Sequence, residues 1–367
     1  MKIFSRILLL AAVISVAGCA QKEELSRNEI EQRTFDLWIE KNHPQAERHE
    51  NGMWYEWLSR GTRAGAAKPA EGNFLMIEYT GRTLDGNIIT HRSKEIAEAE
   101  NTYTLKTRYT PHYLLYSPYQ TAISKGEMDA LAMMAEGDEI RIYMPAMLGY
   151  RDVSNFTYGY EGWYNSSNNT NVKSVAGIPI IVDLKLVEVV TDPEARELAE
   201  VEAVAKEWGA TEDDKIEDGI YMKYVDRGTS DDKIGEDSTF YMTYTQRFLD
   251  GFLLSTNDPD IALAELDDWV ASNYTPTQYN ASYGTSILTP SAIQEVFKTG
   301  EIYYGSTIKI VTTSDWAYML SGLPLSQTSS YTYAGPVVFP YTPLVFEIKI
   351  YEWGYDPDPD DEEEEEE

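Results

Sequence analysis

Tyr79-Thr80-Gly81-Arg82-Thr83-Leu84-Asp85-Gly86 returns, about 165 residues later, as Tyr244-Thr245-Gln246-Arg247-Phe248-Leu249-Asp250-Gly251. In both, an alternating apolar run leads into an Asp-Gly pair and a second apolar run leads out. That is the sequence form of strand, tight turn and strand. The order continues on either side. Upstream, Asn51-Gly52-Met53-Trp54-Tyr55 matches Asp218-Gly219-Ile220-Tyr221-Met222. Downstream, a helix-forming stretch precedes Gly137 in one copy and Gly305 in the other. Each is followed by a strand, a segment closing on Tyr150 or Tyr318, and a last strand around Val182 or Phe346. A repeat of this length is a duplicated domain, since solenoid units recur every 20–50 residues or so.

The flanking segments organise the chain. Residues 25–42 have helical spacing, with Ile30, Phe35, Leu37 and Trp38 on one stripe and His43-Pro44 as the stop. A second helix follows Asp192-Pro193. Residues 152–176 read as a long Tyr-, Asn- and Ser-rich loop, and 257–290 as a second insertion that carries an acidic helix. The expected divisions are a signal peptide over 1–18, a tether and helix over 19–50, copy one over 51–190, a linker helix over 191–217, copy two over 218–354 and a disordered acidic tail over 355–367.

Composition excludes several function classes. The 367 residues, 43% of them apolar, suffice for two packed domains. A net charge of −31, from 61 acidic and 30 basic residues, leaves no basic face for a nucleic-acid partner or an anionic leaflet. The single Cys19 excludes an intramolecular disulfide, a Cys-based zinc site and a CxxC pair. Four histidines are too few for a His-rich metal site, and His91 and His112 are expected in exposed loops. The dispersed acids read as solvated surface. No cofactor and no metal are expected.

The N-terminus predicts the membrane as a partner. Lys2 and Arg6 precede an apolar stretch from Ile7 to Ala17, too short for the roughly 20-residue span of a bilayer helix but suited to a signal sequence. Val16-Ala17-Gly18-Cys19 resembles a bacterial lipobox, and Ala20-Gln21-Lys22-Glu23-Glu24 resembles the acidic export tag of Bacteroidetes surface lipoproteins. The resemblance implies an outer-membrane lipoprotein lipidated at Cys19, facing the cell surface or the periplasm.

The repeated unit resembles the FKBP-type peptidyl-prolyl cis-trans isomerases. The resemblance rests on Tyr79-Thr80-Gly81, Leu84-Asp85-Gly86, Met134-Ala135-Glu136-Gly137-Asp138, Met144-Pro145 with Tyr150, and Ile180-Ile181-Val182-Asp183-Leu184 in copy one. In copy two it rests on Tyr244-Thr245, Leu249-Asp250-Gly251, Gly305, Ala317-Tyr318 and Leu344-Val345-Phe346-Glu347-Ile348. It implies an α+β fold of two FKBP-like domains, each an antiparallel sheet of about five strands wrapped on a short helix and each preceded by a helix.

The resemblance also implies a pocket. Tyr79 and Tyr244 are its central-strand tyrosines, Tyr150 and Tyr318 its donors to a substrate carbonyl, and Val182 and Phe346 its final-strand residues. Val337 and Val338 precede the last strand of copy two. Ile89-Thr90 and Leu254-Ser255 replace the family's Phe-Asp pair, so the pocket Asp is absent twice, and with it a polar partner for the tyrosine. The aromatic floor residue aligns with Glu127 and Glu295, or Met128 and Val296 after a one-residue shift. A carboxylate there is expected to point outward. The implied function is a lipid-anchored isomerase acting on proline-containing exported proteins. The alternative is a catalytically weak or inactive binding module or chaperone that uses loop aromatics such as Tyr158, Tyr160, Trp163 and Tyr164. The helices over 25–42 and 193–208 are expected to dock on their own domains, with a homodimer as the alternative.

Overall fold

The computed structural model describes residues 26–61, 65–105, 107–117, 123–149, 177–235, 238–266, 274–281, 291–298, 301–318 and 338–351. The signal stretch 1–18, Cys19, Tyr150, the loop 152–176, Val337 and the tail 355–367 lie outside them.

Alternation of apolar and polar residues builds two sheets of the same plan. The first contains β1 (Glu47–Arg48), β2 (Trp54–Ser59), β3 (Phe74–Thr83), β4 (Ile88–His91), β5 (His112–Leu115), β6 (Glu139–Met144) and β7 (Ile180–Val190). Its order is β1-β2-β6-β7-β3-β4, with β5 also paired to β3. The second contains β8 (Lys215–Glu217), β9 (Ile220–Asp226), β10 (Thr239–Phe248), β11 (Leu253–Thr256), β12 (Thr277–Asn280), β13 (Thr307–Thr312) and β14 (Leu344–Ile350). Read from β8, its order is β8-β9-β13-β14-β10-β11, with β12 on β10, which repeats the first sheet position for position. All pairings are antiparallel. Each sheet has seven strands rather than the expected five or so. The short lead-in strands β1 and β8, and β5 and β12 from the stretch after each hairpin, were not apparent from the repeat alone.

Period two decides which face is buried. On β7, Ile180, Val182, Leu184 and Leu186 are buried while Asp183 and Lys185 are not. On β14, Leu344, Phe346, Ile348 and Ile350 are buried while Glu347 and Lys349 are exposed. Gly86 and Gly251 close the two hairpins at φ of 90° and 84°, conformations that β-carbon sterics deny to most residues.

Six helices accompany the sheets among the described residues: α1 (Arg27–Asn42), α2 (Lys94–Ala99), α3 (Lys125–Met133), α4 (Pro193–Glu207), α5 (Pro259–Glu265) and α6 (Ser291–Lys298). Within copy one, α3 packs on β6 and β7, and α6 packs on β13 in copy two. Each sheet–helix pair encloses one core, centred on Leu131 and Leu184 in copy one and on Phe297 and Phe346 in copy two. Helix α1 starts at a Ser26–Glu29 capping box and buries Phe35 and Ile39 beside Tyr143. Ile30 and Leu37, expected on the buried stripe, are instead 52% and 59% exposed. The helix meets copy one through Phe35 and Ile39, with Trp38 packed beside them. Helix α4 buries Val201 and Ala205 against Val311 of copy two.

The copies touch. Phe339 of copy two enters a cluster with Phe74, Tyr113 and Val190 of copy one. Arg108 pairs with Asp250 at 2.8 Å and lies over the Phe248 ring. Among the described residues, no helix is long and apolar enough to cross a membrane.

Candidate functional site

In copy two the pocket grows from the central strand. Phe240, Met242, Tyr244, Gln246 and Phe248 share the inner face of β10, as alternation requires. Gln246 pairs with Phe346 on one side and Ser255 on the other. Leu254 occupies a bulge between the pairs formed by Ser255 and Leu253. Leu254, Ile293, Val338 and Phe346 belong to one buried cluster, and Tyr244 and Tyr318 pack against it. Of the residues picked out by sequence, Leu254, Val338 and Phe346 lie in this core, and Tyr244 and Tyr318 pack against it.

The tyrosines are not alike. Tyr318 donates from Oη to Gln246 Oε1 at 2.5 Å. Burial raises its phenol well above the ordinary range, and the glutamine bond opposes that only in part. Burial also raises Tyr244, while a hydrogen bond with the Ser255 side chain opposes it. Ser255 stands where the family pattern has Asp. Contrary to the sequence expectation, the tyrosine of copy two thus keeps a polar partner.

Tyr318 follows a 3-10 turn, Ser314–Trp316, which is held from several sides. Glu197 on α4 accepts from both the backbone N–H and the hydroxyl of Ser314. Trp316 Nε1–H donates to the Asp218 carbonyl at 2.9 Å, and Ser291 Oγ donates to the Trp316 carbonyl at 3.2 Å. Burial pushes the Glu197 carboxyl up to about 7, against the lowering effect of the two Ser314 bonds.

In copy one, Tyr79 and Val182 are buried in the core and Ile89 packs against it. Val182 pairs with Gly81, the position of Gln246. Ile89 sits at the bulge equivalent to Leu254. Tyr150 lies outside the described residues, so copy one brings together Tyr79, Ile89 and Val182. It adds a residue that sequence reasoning misplaced. His91 and His112 are on strands rather than in loops, and His112 is only 3% exposed. His112 pairs with Ile77 on β5, its ring centroid 6.1 Å from that of Tyr79. Its other neighbour is Phe339 of copy two, at 5.0 Å and nearly parallel. Burial, helped by the Arg92 charge, pushes its imidazole down to about 3, so it is neutral at ordinary pH. The clue lay in Pro111-His112-Tyr113-Leu114-Leu115, a short aromatic and apolar run after a proline.

The floor differs from the expectation as well. Glu127 is 1% exposed and does not point outward. Its Oε2 accepts from the Ser124 N–H at 2.7 Å, while Ser124 Oγ accepts from the Glu127 N–H at 3.3 Å. This capping box satisfies the carboxylate inside the fold, which removes the desolvation objection. Helix α3 buries Gly126, Glu127, Ala130 and Leu131, and α6 buries Ala292, Ile293, Val296 and Phe297 at the same spacing. The counterpart of Glu127 is therefore Ile293. Glu295 pairs with Lys298 at the helix surface.

A groove of about 380 Å³ beside Tyr79 is lined by Glu78, Arg92, Lys94, Glu139 and Lys185 among others. Tyr79 is among its lining residues, but the charged groups around it suit it poorly to a prolyl ring. Among the described residues, no group of three or more His, Cys, Asp or Glu side chains could hold a metal ion.

The chain is 27% identical over 143 residues to the Macrophage infectivity potentiator of Trypanosoma cruzi. The match covers 38% of this chain and 63% of that relative, less than two thirds of its length. The motif order, found twice, resembles that of the FKBP-type peptidyl-prolyl isomerases. No family model matches the chain. Among solved structures, the three FKBP domains of wheat FKBP73 align at 11% identity, covering 84% of this chain and 97% of that one, with a TM-score of 0.27. A peptidyl-prolyl cis-trans isomerase from Pseudomonas syringae aligns at 18% identity over 46% of this chain and 99% of that one, with a TM-score of 0.29. Relative to the FKBP-type pattern, both copies depart at the residues after the hairpin, Ile89-Thr90 and Leu254-Ser255, and on the helix, at Glu127 and Ile293.

Proposed function

We propose that this chain is a lipid-anchored peptidyl-prolyl cis-trans isomerase that assists the folding of exported proteins. The observation that supports the reading is the equivalent placement of three residues against the core of each copy. A central-strand tyrosine, a bulged apolar residue and an inward final-strand residue converge in each copy, as Tyr79, Ile89 and Val182 and as Tyr244, Leu254 and Phe346.

Such a pocket suits a reaction that needs no nucleophile. Rotation about an X–Pro bond is opposed by C–N resonance, with a barrier of about 18–20 kcal/mol, and takes tens to hundreds of seconds or so unaided. An apolar site strips water from the prolyl amide, which disfavours the charge-separated resonance form. A phenolic donor then holds the carbonyl while the bond twists. Only tighter binding of the twisted state than of either planar state is required. The membrane anchor rests on Cys19 and the signal-like stretch before it. It would hold the pockets at the outer membrane, on the surface or the periplasmic side, where unfolded exported chains pass.

The test is isomerisation of a short X–Pro peptide by the full mature chain carrying Cys19→Ser, which removes the lipid. Acceleration is expected, with a loss of about tenfold in Tyr150→Phe, the size of one hydrogen bond gained in the twisted state. A well-folded chain that accelerates no X–Pro peptide sinks the isomerase reading. The binding-module alternative is favoured by one feature, the Tyr318 hydroxyl already engaged by Gln246. That feature concerns copy two alone.

A further inference from the structure

Gln246 and Gly81 occupy the same position in the two repeats and give their pockets opposite contents. Gln246 is 5% exposed, its cross-strand partners are Phe346 and Ser255, and its side chain accepts from the Tyr318 hydroxyl. Its amide oxygen is the same kind of acceptor that a substrate peptide carbonyl would offer to that hydroxyl. The cross-strand neighbours have changed to match. A β-carbon on Gly81 would lie 2.7 Å from Thr90 Cγ2, which leaves no room for a side chain in copy one. Gln246 faces Ser255, which lacks that methyl. The pair Gly81 and Thr90 has become Gln246 and Ser255, so the longer side chain is fitted rather than merely tolerated.

We propose that Gln246 is an intramolecular stand-in for the substrate amide, which keeps prolyl peptides out of copy two and leaves copy one as the binding copy. The inference rests on reading these pockets as prolyl sites. A peptide entering copy two would have to break the Tyr318–Gln246 bond and leave the glutamine amide unpaired in an apolar site, whereas one entering copy one meets a glycine at that position.

The test uses the full mature chain, methyl-labelled at Ile, Leu and Val and titrated with the tetrapeptide Ala-Leu-Pro-Phe. In the parent chain, methyl signals of Ile89, Val182 and Leu184 are expected to shift, and those of Leu254, Val338 and Ile348 to stay in place. In Gln246→Ala and Gln246→Ser, which Ser255 leaves room for, the copy-two signals should also shift, with peptide affinity there raised by at least about tenfold. Tyr318→Phe retains the glutamine and should open nothing. Shifts of the copy-two methyls in the parent chain overturn the proposal, as does a folded Gln246 variant whose copy-two methyls stay still. Failure of the underlying prolyl reading looks different, because copy-one signals would then be unmoved in every variant.

Discussion

Gly81 and Thr90 face each other across β3 and β4 with no space for one more carbon. Gly81→Ala should therefore destabilise copy one by about 1–3 kcal/mol, the usual cost of overpacking. Adding Thr90→Ser, which copies the residue opposite Gln246, should recover at least half of that loss. Urea unfolding of the two single variants and the double variant measures the coupling, and additive losses would show that the methyl is not what excludes a side chain. The identities of these residues are plain in the sequence. Their meaning is not, because Thr90 and Ser255 look like ordinary strand residues until the register places each opposite Gly81 or Gln246. Glu127 gives the same lesson. Its type suggests exposure, and only the geometry of the Ser124 cap explains how a carboxylate sits inside at little cost.

At the scale of elements, α4 does more than join the copies. Its first turns bring Glu197 onto the turn that precedes Tyr318, where Ser314 donates twice to the carboxylate. Burial raises the folded-state value to about 7 from an ordinary 4.5. The protonated form is thus favoured by folding. The stability this contributes is fully present below pH 4.5 and is lost as pH rises through about 7. Relative to Glu197→Gln, the parent chain should lose urea resistance between those limits. Matched urea midpoints at pH 5 and pH 7.5 would check this, and an equal change in both proteins would place the titration elsewhere. Most helices were legible from spacing and breaker residues, as the stretch before His43-Pro44 and the one after Asp192-Pro193 illustrate, whereas α2 was not anticipated. The buried side of α1 was only half legible. Ile30 and Leu37 fit the helical stripe, but the area of sheet available to cover them is a tertiary quantity.

For the whole molecule, the junction between copies depends on one aromatic. Phe339 leaves copy two just before its last strand and packs among Phe74, Tyr113, Val190 and His112 of copy one. Arg108 and Asp250 add an ion pair beside it. Such a contact should make the copies unfold together. Phe339→Ala removes about 3 kcal/mol of burial by the usual scale for core aromatics. Calorimetry of the full chain should then show one transition resolving into two, while a single unchanged transition would mean that α4 alone couples the copies. In the sequence Phe339 merely follows Val337 and Val338, because partners about 150–265 residues away leave no local signature.

The sequence by itself determined the duplication, the order of strands and helices around each Asp-Gly hairpin, and the central-strand tyrosines, because all of these follow from local periodicity and turn chemistry. Tertiary structure decided the content of each pocket, the burial of His112 and Glu127, the bond between Tyr318 and Gln246, and the contact between copies. Those depend on which side chains are brought face to face by register and packing, distances that no run of neighbouring residues encodes.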